Sequence, residues 1–516
     1  MADGVAEREA GMAEVAEVAE VLEVAPMAEV VEPPKLPLVE AAPSQRPVRV
    51  PRRLRPSLLP RPDFRSVAER MEAGRALRRR CPRARHAEWR PRKGRDPLAL
   101  LRRSDASRLP WLVPVRHERM ALSPFAFLRG SPFVMTADLA RSPVSGLRAQ
   151  LCGDAHLGNF GLFATAERRL VFDVNDFDET LPGPVEWDVK RLAASCVVVA
   201  RQGGFGEGTA RRAARRAARA YRKALRRLAP LGLLEVWALH QEAEVLAQRA
   251  SSGRTGEVAA KAAERARRRT SAHAVERLTV ERDGKRHLAY QPPLLFPLEA
   301  VRAGISRGEL HRRLAQLTRG YLGSLDGAMR ELCLRYRRRE WGFKVVGVGS
   351  VGLQAYVVLC EGNGEEDPLV LQVKEAQPSA LELALGPSGL RSPAERVVVG
   401  QRRMQAGADP FLGWTCLPGM GDFYVRQLRD MKGGLDVEKL EPCVLLDYAA
   451  ACGETLARAH ARTGDAALMA GYLGGGDVFE EAVAEFAMAY AGQVEADHAR
   501  FVDSRLPPAP PRRGRR

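Results

Sequence analysis

Between Cys152 and Thr180 the chain reads CGDAHLGNFG, then VFDVNDFDET, setting Asp154, His156, Asn159, Asp173, Asp176, Asp178 and Glu179 among glycines and short apolar runs. An Asp and an Asn five residues apart on a glycine-containing loop can aim both side chains into one space. Such a pair recurs where phosphate is transferred: the Asp accepts or orients a hydroxyl proton, and the Asn carbonyl oxygen holds magnesium. Asp176 and Asp178 follow a strand-like run. A hard cation such as magnesium takes a few carboxylate oxygens together with phosphate oxygens, not a full protein cage. Asp and Asn also cap helices and make turns. The reading therefore rests on the whole segment, including Asp188 at the start of the helix-like EWDVKRLAASCVVVARQ.

The stretch GDAHLGN, NDFDETLPGPVEWDVKRLA resembles the catalytic region of aminoglycoside-phosphotransferase-like and choline-kinase-like enzymes. Their pattern is roughly His-Gly-Asp-x-His-x-x-Asn, then Ile-Asp-Phe-Asp-Asp, then Tyr-Asp or Trp-Asp at a helix start. The resemblance implies that Asp154 is the catalytic base, Asn159 a metal ligand, Asp176 the principal metal ligand and Asp178 an auxiliary acid at the metal. Asp188 resembles the buried helix Asp that braces the catalytic loop through its backbone. His156 reads as a loop brace, with metal ligation or phosphate positioning as alternatives. Two features depart from the pattern. Cys152 stands where the first His would be, and the interval from Asn159 to Asp176 is long, which makes Asp173 a rival for the metal.

Such an enzyme also needs a phosphate cover and a lysine. GVGSVG places Gly347, Gly349 and Gly352 in the Gly-x-Gly-x-x-Gly spacing, which hairpins and dinucleotide folds also use. A dinucleotide fold would start a helix at once. Here LQAYVVLCEG continues as strand, turns through NGEEDP and returns as LVLQVKEA, the small-lobe order of a kinase. Lys374 then resembles the strand lysine that meets the α/β-phosphates; the alternative is an edge-strand lysine that limits aggregation. Glu395 in PAERVVVGQRRMQ is a candidate partner for it, with Glu382 a rival. FYVRQLRDMKG is expected to lead into the hinge that holds adenine.

The elements around these residues set the expected architecture. Residues 1–61 form an acidic and then Pro/Arg-rich tail, unsuited to a packed core. Residues 62–335 are mainly helical and carry the catalytic loop at 152–180. Residues 336–434 form a Gly-rich β-lobe, 435–504 return as helices, and 505–516 are a basic tail. RLTVERDGKRHLAY reads as a hairpin turning at Asp283-Gly284. The expectation is an α+β, two-lobed, protein-kinase-like fold, circularly permuted because the Gly-rich segment follows the catalytic loop. Permutation is tolerated where termini lie close together and the new break falls in a surface loop. The helix LDYAAACGETLARAHART is expected to pack beside the catalytic loop.

The 516 residues carry a formal charge of +18 and eight scattered cysteines without a Cys-x-x-Cys pair, which argues against a zinc site. Cys152 reads as a small buried residue, not a nucleophile. No stretch approaches a membrane span, and the acidic start lacks the basic region of a signal peptide, so a cytoplasmic protein with reduced thiols is expected. The expected function is ATP- and Mg2+-dependent phosphoryl transfer to a hydroxyl of a small acceptor. A nucleotide-binding pseudokinase and a nucleotidyl-transferring enzyme are alternatives. A further alternative is a basic nucleic-acid binder using RRAARRAARAYRKALRR. Arg119 and Arg129 are candidates to neutralise substrate phosphate, or to make structural salt bridges. LVPVRHERMALSPFAFLRG, LCGDAHLGNFG, FDVNDFDETLPGPVEWDVKRLAAS and FYVRQLRDMKG resemble the domain of unknown function 2252 family over about residues 75–500. That resemblance implies a bacterial protein and names no substrate.

Overall fold

The computed structural model describes residue 59 and residues 63–282, 285–292, 294–298, 306–417, 419–428 and 431–504. The terminal tails, residue 59 apart, and the Asp283-Gly284 turn lie outside the described residues.

Four strands arrange the chemistry-bearing loops. β1 (Arg148–Leu151) pairs antiparallel with β4 (Leu181–Pro184), and between them β2 (Phe160–Ala164) pairs with β3 (Leu170–Val174). One ladder is thus nested in sequence inside the other. The segment 152–159 leads from outer to inner ladder, and 175–180 leads back, so the two loops lie side by side. The approach is close: Gly153 has φ +81°, and a Cβ there would sit 2.2 Å from the Glu179 carbonyl oxygen. Only glycine meets both demands without strain.

α1 (Val185–Gln202) follows β4 at once, with all but its last two residues buried. A helix buried all round belongs at the centre of a body, and α2 (Glu207–Leu228), α5 (Pro442–Ala461) and α6 (Val478–Ser504) surround it. Alanines at 210, 213, 214, 217 and 218 form the buried face of α2. α5 crosses that face so closely that a Cβ on Gly453 would lie 2.1 Å from the Ala217 carbonyl oxygen.

The second unit is a six-stranded antiparallel sheet in the order β11-β12-β10-β9-β8-β7. Its strands are β7 (Leu295–Pro297), β8 (Arg337–Lys344), β9 (Ala355–Gly362), β10 (Gly364–Ala376), β11 (Gly413–Leu417) and β12 (Gly421–Gln427); β5 (Thr279–Arg282) and β6 (Lys285–Leu288) form a separate hairpin. The unit has its own core around Phe343, Tyr356, Leu371 and Phe423, joined by Leu109 and Leu112 from upstream. It reaches back past residue 336. β7 extends the sheet, and α3 (Arg307–Ser324) docks on it through the Tyr321 hydroxyl, which donates to the Phe411 carbonyl at 2.8 Å. α4 (Pro393–Met404) sits between β10 and β11 in the chain. After β12 the chain returns to the helical body, where Gly433 exchanges both backbone hydrogen bonds with Leu162 of β2, at 2.7 and 2.9 Å. Helices and antiparallel sheets are largely segregated, which makes the fold α+β. No helix among the described residues is long and apolar enough to cross a membrane.

Candidate active site

One face of α1 holds the loop 152–159. Asp188 accepts from the backbone N–H groups of Cys152 (2.8 Å) and Gly153 (3.0 Å). Arg191, one turn on, pairs its guanidinium with the Asp154 carboxylate and donates to the Leu128 carbonyl at 3.0 Å. Ser195, a further turn on, accepts from the Leu157 N–H at 3.0 Å. Positions i, i+3 and i+7 share a helix face, so a single helix sets the loop in three places. α5 approaches from the other side: His460 Nε2 lies 3.1 Å from Asp188, and the Tyr448 hydroxyl donates to the Phe160 carbonyl at 2.8 Å.

Within the loop, Asn159 donates its amide to the Asp154 carbonyl at 2.8 Å, which leaves its side-chain oxygen for another partner. His156 is buried, with Nε2 3.5 Å from the Asp154 carboxylate, and burial holds its imidazole below the usual value. Burial would raise the Asp154 carboxyl, but Arg191 and His156 prevail and hold it well below the ordinary range. Asp154 therefore stays ionised and is a weak base. Burial also pushes the Cys152 thiol upward.

The second loop separates the acids. Asp173 lies in β3 and faces away from the cleft, accepting from the Val174 N–H at 2.9 Å and the Ala406 N–H at 3.0 Å, and pairing with Arg458. Asp176 lies beyond the strand end and accepts the Asp178 N–H at 3.1 Å. Asp178 is where the two units meet. It pairs with Lys374 of β10 and accepts from the Ser350 hydroxyl at 3.1 Å and the Tyr424 hydroxyl of β12 at 2.7 Å. Burial works against both charges of the Asp178–Lys374 pair. Their mutual attraction prevails, lowering the carboxyl and raising the ammonium.

Lys374 is not brought to Glu395 or Glu382. Glu395 caps its own helix, accepting the Arg391 N–H at 2.7 Å, and Glu382 lies 3.6 Å from Arg396. Arg396 is the α4 residue that faces the site: its buried guanidinium donates to the carbonyls of Thr180, Asp178 and Gln377 at 2.7 to 2.8 Å, tying the acidic loop to the end of β10.

The Gly-rich turn, Val348–Ser350 with its flanks, is held by arginines from upstream of β1. Arg108 donates to the Gly349 carbonyl at 3.0 Å and Arg119 to the Val346 carbonyl at 2.8 Å. Gly352 has φ +92°, and a Cβ there would meet the Arg108 side chain at 2.8 Å. Gly347 lies at the entrance of the turn with open space beside it.

A cavity of about 410 Å³ opens between these parts, lined by Asp154, Asp176, Asp178, Glu179, Gly349, Ser350 and Arg129 among others. That volume suits a small ligand. Among the described residues no three His, Cys, Asp or Glu side chains converge to hold a metal ion by themselves. A hard cation here would need ligand oxygens as well, with Asp176 and the Asn159 oxygen as the protein's contribution. Asp178 is engaged by Lys374, Ser350 and Tyr424.

Burial pushes the Glu179 carboxyl up from 4.5 to about 7, against the opposing pull of the Ala380 N–H and Arg396. A raised folded-state value favours the neutral form. Its stabilising contribution is therefore complete below pH 4.5 and is lost as pH rises through about 7. Urea unfolding of Glu179→Gln should accordingly lack a decline of about 1–3 kcal/mol that wild type shows between pH 5 and 8. Parallel curves for the two proteins would contradict this. Lys432, pushed down to about 7 chiefly by burial, acts in the opposite sense above that pH and is common to both proteins.

Arg191, Arg396 and Tyr424 are the site residues that motif reading passes over. Arg191 was legible from its position one turn beyond Asp188. Arg396 and Tyr424 depend on contacts across more than 200 residues.

A family model described as an uncharacterised protein conserved in bacteria (DUF2252) matches residues 108–504, well over half of the chain. No curated protein and no solved structure matches.

Proposed function

The chain belongs to this bacterial family, whose description names no activity, and we propose that it is an ATP- and magnesium-dependent phosphotransferase of permuted, kinase-like fold acting on a hydroxyl of a small acceptor. The observation that carries the reading is the meeting at Asp178. The strand lysine and the Gly-rich turn reach an acid two positions after Asp176, on the wall of the cavity that also contains Asp154. One triphosphate has to touch both sets of residues. The order of β8, Gly-rich turn, β9, β10 with its lysine, α4, β11 and β12 supports the same reading.

In this reading Asp176 and Asn159 hold the magnesium ion, and Lys374 with the Gly349–Ser350 backbone holds phosphate. Magnesium supplies neutralisation of phosphate charge. Asp154, kept ionised by Arg191, orients the acceptor hydroxyl; a loose transition state asks little of a base. Asp188 fixes the first loop to α1, and Arg396 fixes the second to the end of β10. The nucleic-acid reading is disfavoured because Arg211, Arg215, Arg216, Arg222 and Arg227 of α2 each pair with a carboxylate of this chain. The clamp on Asp154 favours one second reading, a nucleotide-binding module without turnover.

Isothermal titration of ATP, with and without magnesium, tests the proposal. Magnesium should tighten wild-type binding at least about tenfold, or 1.4 kcal/mol, and Asp176→Asn should lose that increment only. A wild type that binds no ATP would overturn both readings. ADP formation then separates turnover from binding alone, and AMP with pyrophosphate would indicate nucleotidyl transfer.

A further inference from the structure

Several charges on the cavity wall have charged or carbonyl partners, while Asp176, Glu179 and Glu375 accept hydrogen bonds from backbone N–H groups. Asp154 faces Arg191, Asp178 faces Lys374, Glu382 faces Arg396, and Arg108 gives its guanidinium to the carbonyls of the Gly-rich turn. Arg129 is different. It stands at the end of the helix Pro124–Gly130, half-buried and on the cavity wall. Among the described residues no carboxylate lies within ion-pair range of it, and its guanidinium makes no hydrogen bond. It rests over the Phe125 ring, 5.7 Å from the centroid.

Arg129 also touches both halves of the site. Its Nε lies 3.8 Å from the point where a Cβ on Gly158 would stand, against the loop that carries Asp154, and its carbonyl lies 3.7 Å from the corresponding point on Gly349. The Phe125 ring and the Gly158 backbone border the side chain while leaving its N–H groups unmatched. A guanidinium drawn partly out of water without a carboxylate is unfavourable until an oxyanion completes it, and its fork suits two oxygens of one group.

We propose that Arg129 anchors an oxyanion on the acceptor, so that the substrate is an anionic hydroxyl compound bearing a phosphate or carboxylate group. This rests on the phosphotransferase reading and adds its substrate class. The anion would dock on Arg129, with the hydroxyl delivered to Asp154 on the same wall.

Inorganic phosphate and malonate serve as probes, representing the two kinds of oxyanion. Each is titrated into the full chain and into Arg129→Ala and Arg129→Lys, with saturating Mg2+ and a non-hydrolysable ATP analogue wherever that binds. Nucleotide affinity is recorded on the same samples. At least one probe should bind wild type, weaken at least about tenfold in Arg129→Ala and at least about threefold in Arg129→Lys, which keeps the charge but not the fork. The lysine variant decides the question if the alanine variant does not fold. Probe binding that is absent in wild type or unchanged in the Arg129 variants would overturn the proposal. So would a parallel loss of nucleotide in the Arg129 variants, which would assign Arg129 to the nucleotide's own phosphates. A wild type that holds the probes through Arg129 but binds no nucleotide would contradict the phosphotransferase reading and leave the oxyanion site standing.

Discussion

Replacing Asp188 by Ala should cost about 3–5 kcal/mol of stability and abolish magnesium-dependent nucleotide binding, although Asp188 does not line the cavity. The carboxylate is buried at the start of α1, where it accepts from the Cys152 and Gly153 N–H groups and faces His460. Removing it leaves two buried amide donors without an acceptor, and each orphaned donor costs about 1–3 kcal/mol. The start of the loop 152–159 then loses its hold on α1, which sets the position of Asp154. Asn at this position keeps one acceptor oxygen but sets an amide NH2 against a backbone N–H, so Asp188→Asn should recover only part of the loss. Chemical unfolding with parallel ATP titration checks both variants. A cost below about 1 kcal/mol, or full nucleotide binding in the alanine variant, would mean that the loop is held by something else.

Lys374→Met should lower phosphoryl transfer at least about a hundredfold and destabilise the chain by about 3–5 kcal/mol, because it leaves Asp178 as an unpaired, largely buried acid. The second effect separates structure from chemistry. In Lys374→Met/Asp178→Asn the charge is gone from both sides, while Tyr424 and Ser350 can still hydrogen-bond the amide. Most of the stability should return. Transfer should not, since the lysine's role toward phosphate is still missing. A double-mutant cycle on unfolding free energy should give a coupling above about 1 kcal/mol. Additive effects would indicate that the pair contributes little and that Asp178 is held by its hydroxyl partners.

The clustering of polar residues in 152–180 was legible because loop residues close in sequence stay close in space, and the helical pattern after Asp188 was strong. Which acid faces the cleft was less so. Asp173 and Asp176 differ by three positions, but one lies inside a strand and meets Arg458 from α5, nearly 300 residues later; the other lies past the strand end. On α4 the residue that grips the acidic loop is Arg396, not its neighbour Glu395. Adjacent positions point about 100° apart on a helix, and a capping role absorbs the glutamate. The nesting of β2–β3 between β1 and β4 could not be read from alternation alone, because each strand is only four or five residues long. The arginines that hold the Gly-rich turn come from a segment more than 200 residues upstream, which no local pattern connects to it.

A crystal structure with Mn2+ and a non-hydrolysable ATP analogue puts the whole arrangement to the test through the anomalous signal of the metal. The expected density places manganese at Asp176 and the Asn159 oxygen, with one triphosphate running from Lys374 and the Gly349–Ser350 turn toward Asp154. Manganese bound away from Asp176, or a nucleotide touching the sheet unit or the acidic loop but not both, would contradict a single site built from the two halves.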